Sequence, residues 1–109
     1  MAKPLIAGNW KMHGTVAQAR SLTRQLVENE QSFAGVQMAI FPPTLHLGLV
    51  AAELSGSSIA LGAQNMSEHR SGAFTGEISA DMLKEVGCSY TLVGHSERRT
   101  LFGEVDRTV

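Results

Sequence analysis

Four short runs of this chain, residues 5–10, 36–41, 59–64 and 90–93, are almost continuously apolar. A strand with one face in water alternates apolar and polar residues, whereas a strand covered on both faces need not. These runs therefore predict the buried strands of a parallel sheet. The stretches between them carry a different period. From Val16 to Glu28, residues Val16, Ala19, Leu22, Leu26 and Val27 fall along one side of a helix, with Gln18, Arg20, Arg24, Gln25 and Glu28 elsewhere. Thr15 is placed as the N-cap, and Gln18 three residues on completes a capping-box pattern. Pro42-Pro43 forces a turn before a second helix over residues 44–54. A third helix covers residues 79–86, capped by Ser79 and stopped by Gly87.

The order is β-α-β-α-β-α-β with a fourth helix starting after Val93, an α/β pattern of βαβ units with right-handed crossovers. A doubly wound dinucleotide-binding sheet would carry G-x-G-x-x-G after its first strand. The segment Gly8-Asn9-Trp10-Lys11-Met12-His13-Gly14 does not supply it. Polar residues instead gather just past the C-terminal ends of successive strands: Asn9 and Lys11, Gln64 and Asn65, His95 and Glu97. Active sites of (β/α)8 barrels are built at that face, and such a barrel takes about 250 residues. The 109 residues correspond to the first four β/α units. Residues 104–109 read as a helix start with no Gly or Pro stop. The expected organisation is therefore that residues 1–109 form the N-terminal part of a single barrel domain, truncated within the fourth helical region.

Composition narrows the classes of function. A chain that is 43% hydrophobic and 17% charged has apolar mass for a core, and its net charge of −1 leaves no electrostatic footprint for nucleic acid or an anionic membrane. Cys88 is the only cysteine, so no intrachain disulfide can form, and its apolar neighbours place it as a small buried hydrophobe. The apolar run at residues 4–8 is too short for a signal peptide or a membrane span. A cytoplasmic location is the expectation.

Among the residues that could carry chemistry, Asn9 and Lys11 are two apart, so an extended backbone would project both side chains to one side. A lysine there can hold a phosphate or a developing oxyanion, or it can be an ordinary solvated lysine after a strand. His95 stands where a strand is expected to pass into a helix. The positive end of that helix would disfavour imidazolium and leave a neutral N–H donor for a carbonyl oxygen, although a lone histidine can equally be structural. Glu97 can pair with Lys11 or act as a first-turn acid. The long connection between Asn65 and Ile78 carries Gly72-Ala73-Phe74-Thr75-Gly76-Glu77, whose Phe74 either inserts into another surface or folds back onto its own core. His13, His46 and His69 have no metal-ligand spacing and read as surface or structural; no metal is predicted.

Together, Gly8-Asn9-Trp10-Lys11-Met12, Gly62-Ala63-Gln64-Asn65, Gly72-Ala73-Phe74-Thr75-Gly76-Glu77 and Val93-Gly94-His95-Ser96-Glu97-Arg98-Arg99 resemble the triosephosphate isomerase family in order and spacing. The neutral histidine at a helix N-terminus and the closing lid of that family are established examples of catalytic tuning. The resemblance implies a TIM barrel and a cofactor-free interconversion of dihydroxyacetone phosphate and glyceraldehyde 3-phosphate in glycolysis and gluconeogenesis. It implies Asn9, Lys11 and Ser96 at the substrate, His95 as the electrophile and proton shuttle, and Glu97 contacting the lysine. Gln64, Phe74, Thr75, Glu77 and Arg98 would lie at a homodimer interface. The family's general-base glutamate and lid belong to a second half that cannot be mapped onto these residues. The chain alone is therefore expected to be inactive, and to self-associate or require its C-terminal half. Two other readings fit less of the pattern: a different (β/α)8 enzyme acting on a sugar phosphate, and a non-catalytic half-barrel that serves in folding or assembly.

Overall fold

The computed structural model describes residues 3–95 and 100–101. Strands β1 (Leu5–Asn9), β2 (Gln37–Phe41), β3 (Ala60–Ala63) and β4 (Cys88–Thr91) form one parallel sheet in the order β1-β2-β3-β4. Helices α1 (Val16–Glu28), α2 (Leu47–Leu54) and α3 (Ala80–Val86) make the three crossovers. A doubly wound sheet reverses its strand order and takes helices on both faces. Here each strand lies beside its predecessor, and Ala19 of α1, Leu47, Val50 and Leu54 of α2, and Leu83 of α3 share one cluster with Ile40, Leu61 and Ala63. This is the winding of a barrel wall.

The local signals for the helices are realised in atomic detail. The Thr15 side chain accepts from the Gln18 backbone N–H while the Gln18 side chain accepts from the Thr15 N–H, at 3.1 and 2.9 Å. Ser79 caps α3 by accepting from the Met82 N–H, and Gly87 ends that helix at φ 112°, which only glycine adopts without strain. After Pro42-Pro43 the chain first makes a 3-10 turn over Thr44–His46, and α2 begins at Leu47, three residues later than the period predicts.

Strand period also holds, with one shift. In β1 and β2, Leu5, Ala7, Ala39 and Phe41 face away from the helices and Ile40 faces toward them. The β3–β4 register then slips between Leu61 and Gly62, which pair with Cys88 and Tyr90. That bulge lets Cys88 enter the helix-side core while Tyr90 and Leu92 join the opposite face. It also moves β4 to Cys88–Thr91, two residues before the expected start at Tyr90.

Two further expectations are corrected. In α1, Ala19 and Thr23 are buried, whereas Val16 and Leu22 are 51% and 41% exposed. Ala19 enters the core shared with α2, Arg20 and Arg24 pair with Glu53 of α2 at its margin, and Leu22 falls on the opposite flank. Thr23 tolerates burial because its hydroxyl donates to the Ala19 carbonyl at 2.7 Å. The fourth helix expected after Val93 does not start there, and the rest of that expectation falls on residues 96–99 and 102–109, which lie outside the described residues. Val93–His95 and Thr100–Leu101 are instead strands β5 and β6 of an antiparallel pair. Backbone groups leaving the sheet must find partners, and a ladder supplies them.

Candidate active site at the strand ends

Because β1 to β4 run parallel, their last residues, Asn9, Phe41, Ala63 and Thr91, line one edge of the sheet. The connection leaving β1 there is short and heavily pinned. The Trp10 N–H donates to the Phe41 carbonyl at 3.1 Å. The Asn9 Oδ1 accepts from the Lys11 N–H at 2.9 Å. Gln64 Nε2 donates to both the Lys11 carbonyl at 2.8 Å and the Phe41 carbonyl at 2.9 Å. Farther along, the buried His46 ring meets the Gly14 carbonyl at 2.7 Å.

Lys11 has φ 52°, the one positive φ outside glycine among the described residues. A non-glycine residue held in that region costs on the order of 1–3 kcal/mol and persists only where its surroundings fix it. Here the fixing groups are the Asn9 and Gln64 side chains. The extended geometry expected for Asn9 and Lys11 is thus corrected: the strand stops at Asn9, and its side chain folds onto the Lys11 backbone. Asn9 and Lys11 are still brought together, by a turn rather than by strand alternation.

Phe41 has no exposed surface and sits beneath this corner. A Cβ at Gly62 would fall within its ring, so glycine at 62 is a packing requirement of the neighbouring strand. The long β3–α3 connection is folded on itself. Its base is closed by the Ser67 N–H to the Ile78 carbonyl at 2.8 Å, and its tip by the Glu77 N–H to the Phe74 carbonyl at 2.9 Å. Phe74 stacks on His69 with ring centroids 4.1 Å apart and planes 7° apart, yet remains 44% exposed. Thr75 and Glu77 are exposed on the same loop.

His95 is the last residue of β5, on the chain that leaves the same edge after the Leu92 N–H bonds the Ala63 carbonyl at 2.9 Å. Ser96, Glu97 and Arg98 lie outside the described residues. Among the described residues, no group of three or more His, Cys, Asp or Glu could hold a metal, and no helix is long and apolar enough to cross a membrane. Burial pushes the Cys88 thiol up to about 11, away from nucleophilic use.

The family model for triosephosphate isomerase matches residues 4–109. The chain belongs to the triosephosphate isomerase family. It is 54% identical over 109 residues to the triosephosphate isomerase of Dechloromonas aromatica and 50% identical to that of Symbiobacterium thermophilum, covering all of itself and 43% of each relative. The crystal structure of triosephosphate isomerase from Bartonella henselae superposes with a TM-score of 0.81 at 40% identity, over 95% of this chain and 43% of that one. The chain thus spans less than half the length of the relatives it matches, and its fold is that of the first units of their barrel.

The sequence places Gln64 among the polar residues past the strand ends and, by the resemblance, at an interface, but does not show its hold on Lys11. The signal was present, since Ala60, Gly62 and Gln64 alternate onto one strand face, but the left-handed turn that brings the Lys11 carbonyl there has no local signature. In sequence His46 reads as surface or structural; the structure buries it and gives it a bond to Gly14 across 32 residues.

Proposed function

We propose that this chain supplies the first half of a triosephosphate isomerase barrel and, within it, the electrophilic side of the active site. The observation that carries the reading is the strained Lys11 turn, pinned by Asn9 and Gln64 at the C-terminal strand ends. In this reading Lys11 and Asn9 hold the triose phosphate, with the ammonium placed against its negative charge. His95 polarises the carbonyl and moves protons between the two oxygens of the enediolate, Ser96 contacts the substrate side of the closed lid, and Glu97 steadies Lys11. The reaction interconverts dihydroxyacetone phosphate and glyceraldehyde 3-phosphate, a glycolytic and gluconeogenic step expected in the cytoplasm and needing no cofactor. Its base must come from the second half of the barrel, because proton abstraction beside a carbonyl requires a positioned carboxylate. The preformed loop carrying Phe74, Thr75 and Glu77, with Gln64 and Arg98, is the surface proposed for a homodimer.

A second reading concerns the chain by itself: a non-catalytic half-barrel that self-associates or captures its complement. Ile6 on edge strand β1 is 48% exposed, which favours it. One experiment addresses both. Glyceraldehyde 3-phosphate isomerisation is measured for the chain alone and for the chain joined to the C-terminal remainder of the Dechloromonas aromatica relative. Activity is expected only in the joined protein. Turnover by the chain alone that vanishes in His95→Ala would overturn the division of labour, and an inactive but folded joined protein would overturn the isomerase reading.

A further inference from the structure

The five residues between β1 and the Thr15 cap, 10–14, carry Lys11 and are fixed at both ends. At the near end the pins are Phe41 and Gln64, described above. At the far end the pin is His46, which is 4% exposed and whose Nε2 lies 2.7 Å from the Gly14 carbonyl oxygen. A carbonyl only accepts, so Nε2 carries the proton and donates. The imidazole is itself held by its backbone. The His46 backbone N–H donates to the Pro43 carbonyl at 2.9 Å, in the turn that Pro42-Pro43 sets before α2. Gly14 in turn precedes Thr15, whose carbonyl accepts the Ala19 N–H at 2.8 Å at the start of α1. Between the pins, Met12 is 91% exposed, so little packing constrains the crest of the loop.

We infer that His46 is a positioning residue for Lys11: its Nε2–H anchors the far end of the loop whose near end Gln64 holds, and so keeps the left-handed Lys11 turn aimed at the substrate phosphate. The direction of action rests on the proposed isomerase function, while the anchoring itself does not. A turn strained at Lys11 relaxes when either end is released. Without the His46 bond the Gly14 carbonyl turns to water, and the Lys11 ammonium samples positions off the phosphate. Because the phosphate is bound in both ground and transition states, the loss falls on KM more than on kcat.

The test uses the joined protein with His46→Leu, which fills the space without a donor, and His46→Gln, whose Nε2–H reaches about as far as the imidazole's. Val50→Ala, buried in α2 and bearing no hydrogen-bonding group, is the control for simple destabilisation. Hydrogen exchange of residues 11–15 is followed by mass spectrometry, with KM, kcat and inhibition by inorganic phosphate alongside. His46→Leu is expected to speed exchange in that segment, raise KM and weaken phosphate inhibition about 3- to 10-fold, the range one such bond supports. His46→Gln should restore most of this, and Val50→Ala should leave it unchanged. Unchanged exchange in His46→Leu, or an equal KM rise in Val50→Ala at matched stability, overturns the inference. If the unsubstituted joined protein is inactive, the isomerase reading fails, and exchange and phosphate binding alone decide whether His46 anchors the loop.

Discussion

On the helix-covered face of the sheet, Ile40, Leu61 and Ala63 meet Ala19, Val50, Leu54 and Leu83 from all three helices, and all of them are buried. On the opposite face the buried hydrophobic cluster among the described residues is Ala39, Phe41 and Leu92, while Leu5, Ala7, Ala60 and Tyr90 are partly exposed. The outer face is completed by each βα unit as it forms, because a helix lands on the strands it connects. The inner face of a barrel is filled by side chains from strands all around the ring. Asn9 and Lys11, proposed to hold the substrate, and Gln64, which pins the Lys11 turn, stand at the rim of the less complete face. Burial is therefore more complete on one side of the sheet, and the proposed site stands on the other.

The largest expected effect tests the functional side. In the joined protein, His95→Ala should lower kcat by on the order of 10²–10³, the loss typical of one well-placed electrostatic donor. Lys11→Ala should raise KM as well as lower kcat. Either variant should unfold at the same denaturant concentration as the unsubstituted protein, and a large shift would show that the proposed site also carries stability.

Core truncations probe the two faces directly. Phe41→Ala on the inner face should cost about 3–5 kcal/mol and Leu54→Ala on the outer face about 2–5 kcal/mol, read from urea midpoints in the joined protein. The sharper comparison is between the isolated chain and the joined protein. The Leu54 cost should be similar in both, because its neighbours all come from this chain. The Phe41 cost should be smaller in the isolated chain. Equal ratios for both residues would mean that the inner face is as complete as the outer.

Glycines offer a contrast of sign. Gly62→Ala drives a methyl into the Phe41 ring and should destabilise by about 1–3 kcal/mol. Gly48, inside α2 with open space around it, should become stabilising by about 0.4–1 kcal/mol as Gly48→Ala. Cys88 reports the outer core chemically. With its pKa near 11, alkylation at pH 8 should run about 100-fold slower than in urea, where the thiol is ordinary.

The smallest effect belongs to Glu53. The Arg24 hydrogen bond holds its carboxyl below the usual range, so the pair contributes above the unfolded-state pKa and fades as pH falls through the folded one. Protonated Glu53 resembles Gln, so Glu53→Gln should leave the midpoint unchanged well below pH 4, lower it slightly at pH 7 and flatten the dependence between, the loss being small because the arginines are largely solvated.

What the sequence determined was what depends on neighbours along the chain. The βαβ order follows from apolar runs and helical period. The Thr15–Gln18 box, the Ser79 cap and the Gly87 stop were legible because each closes a hydrogen bond within a few residues. The four motifs carried the family for the same reason. Only the tertiary structure decided what depends on bonds across the fold. The rotation of α1, which exposes Leu22 and buries Ala19 and Thr23, follows from packing against α2, with Glu53 pairing at the margin of that contact. The bulge that turns Tyr90 inward follows from the β3–β4 pairing. The left-handed Lys11 is bonded by its near neighbour Asn9, but it is also held by Gln64, 53 residues away, and its loop by His46 across 32. A strained turn has no propensity of its own to announce it. It exists because distant donors reach its carbonyls, and those contacts form only once the sheet has brought the strand ends together.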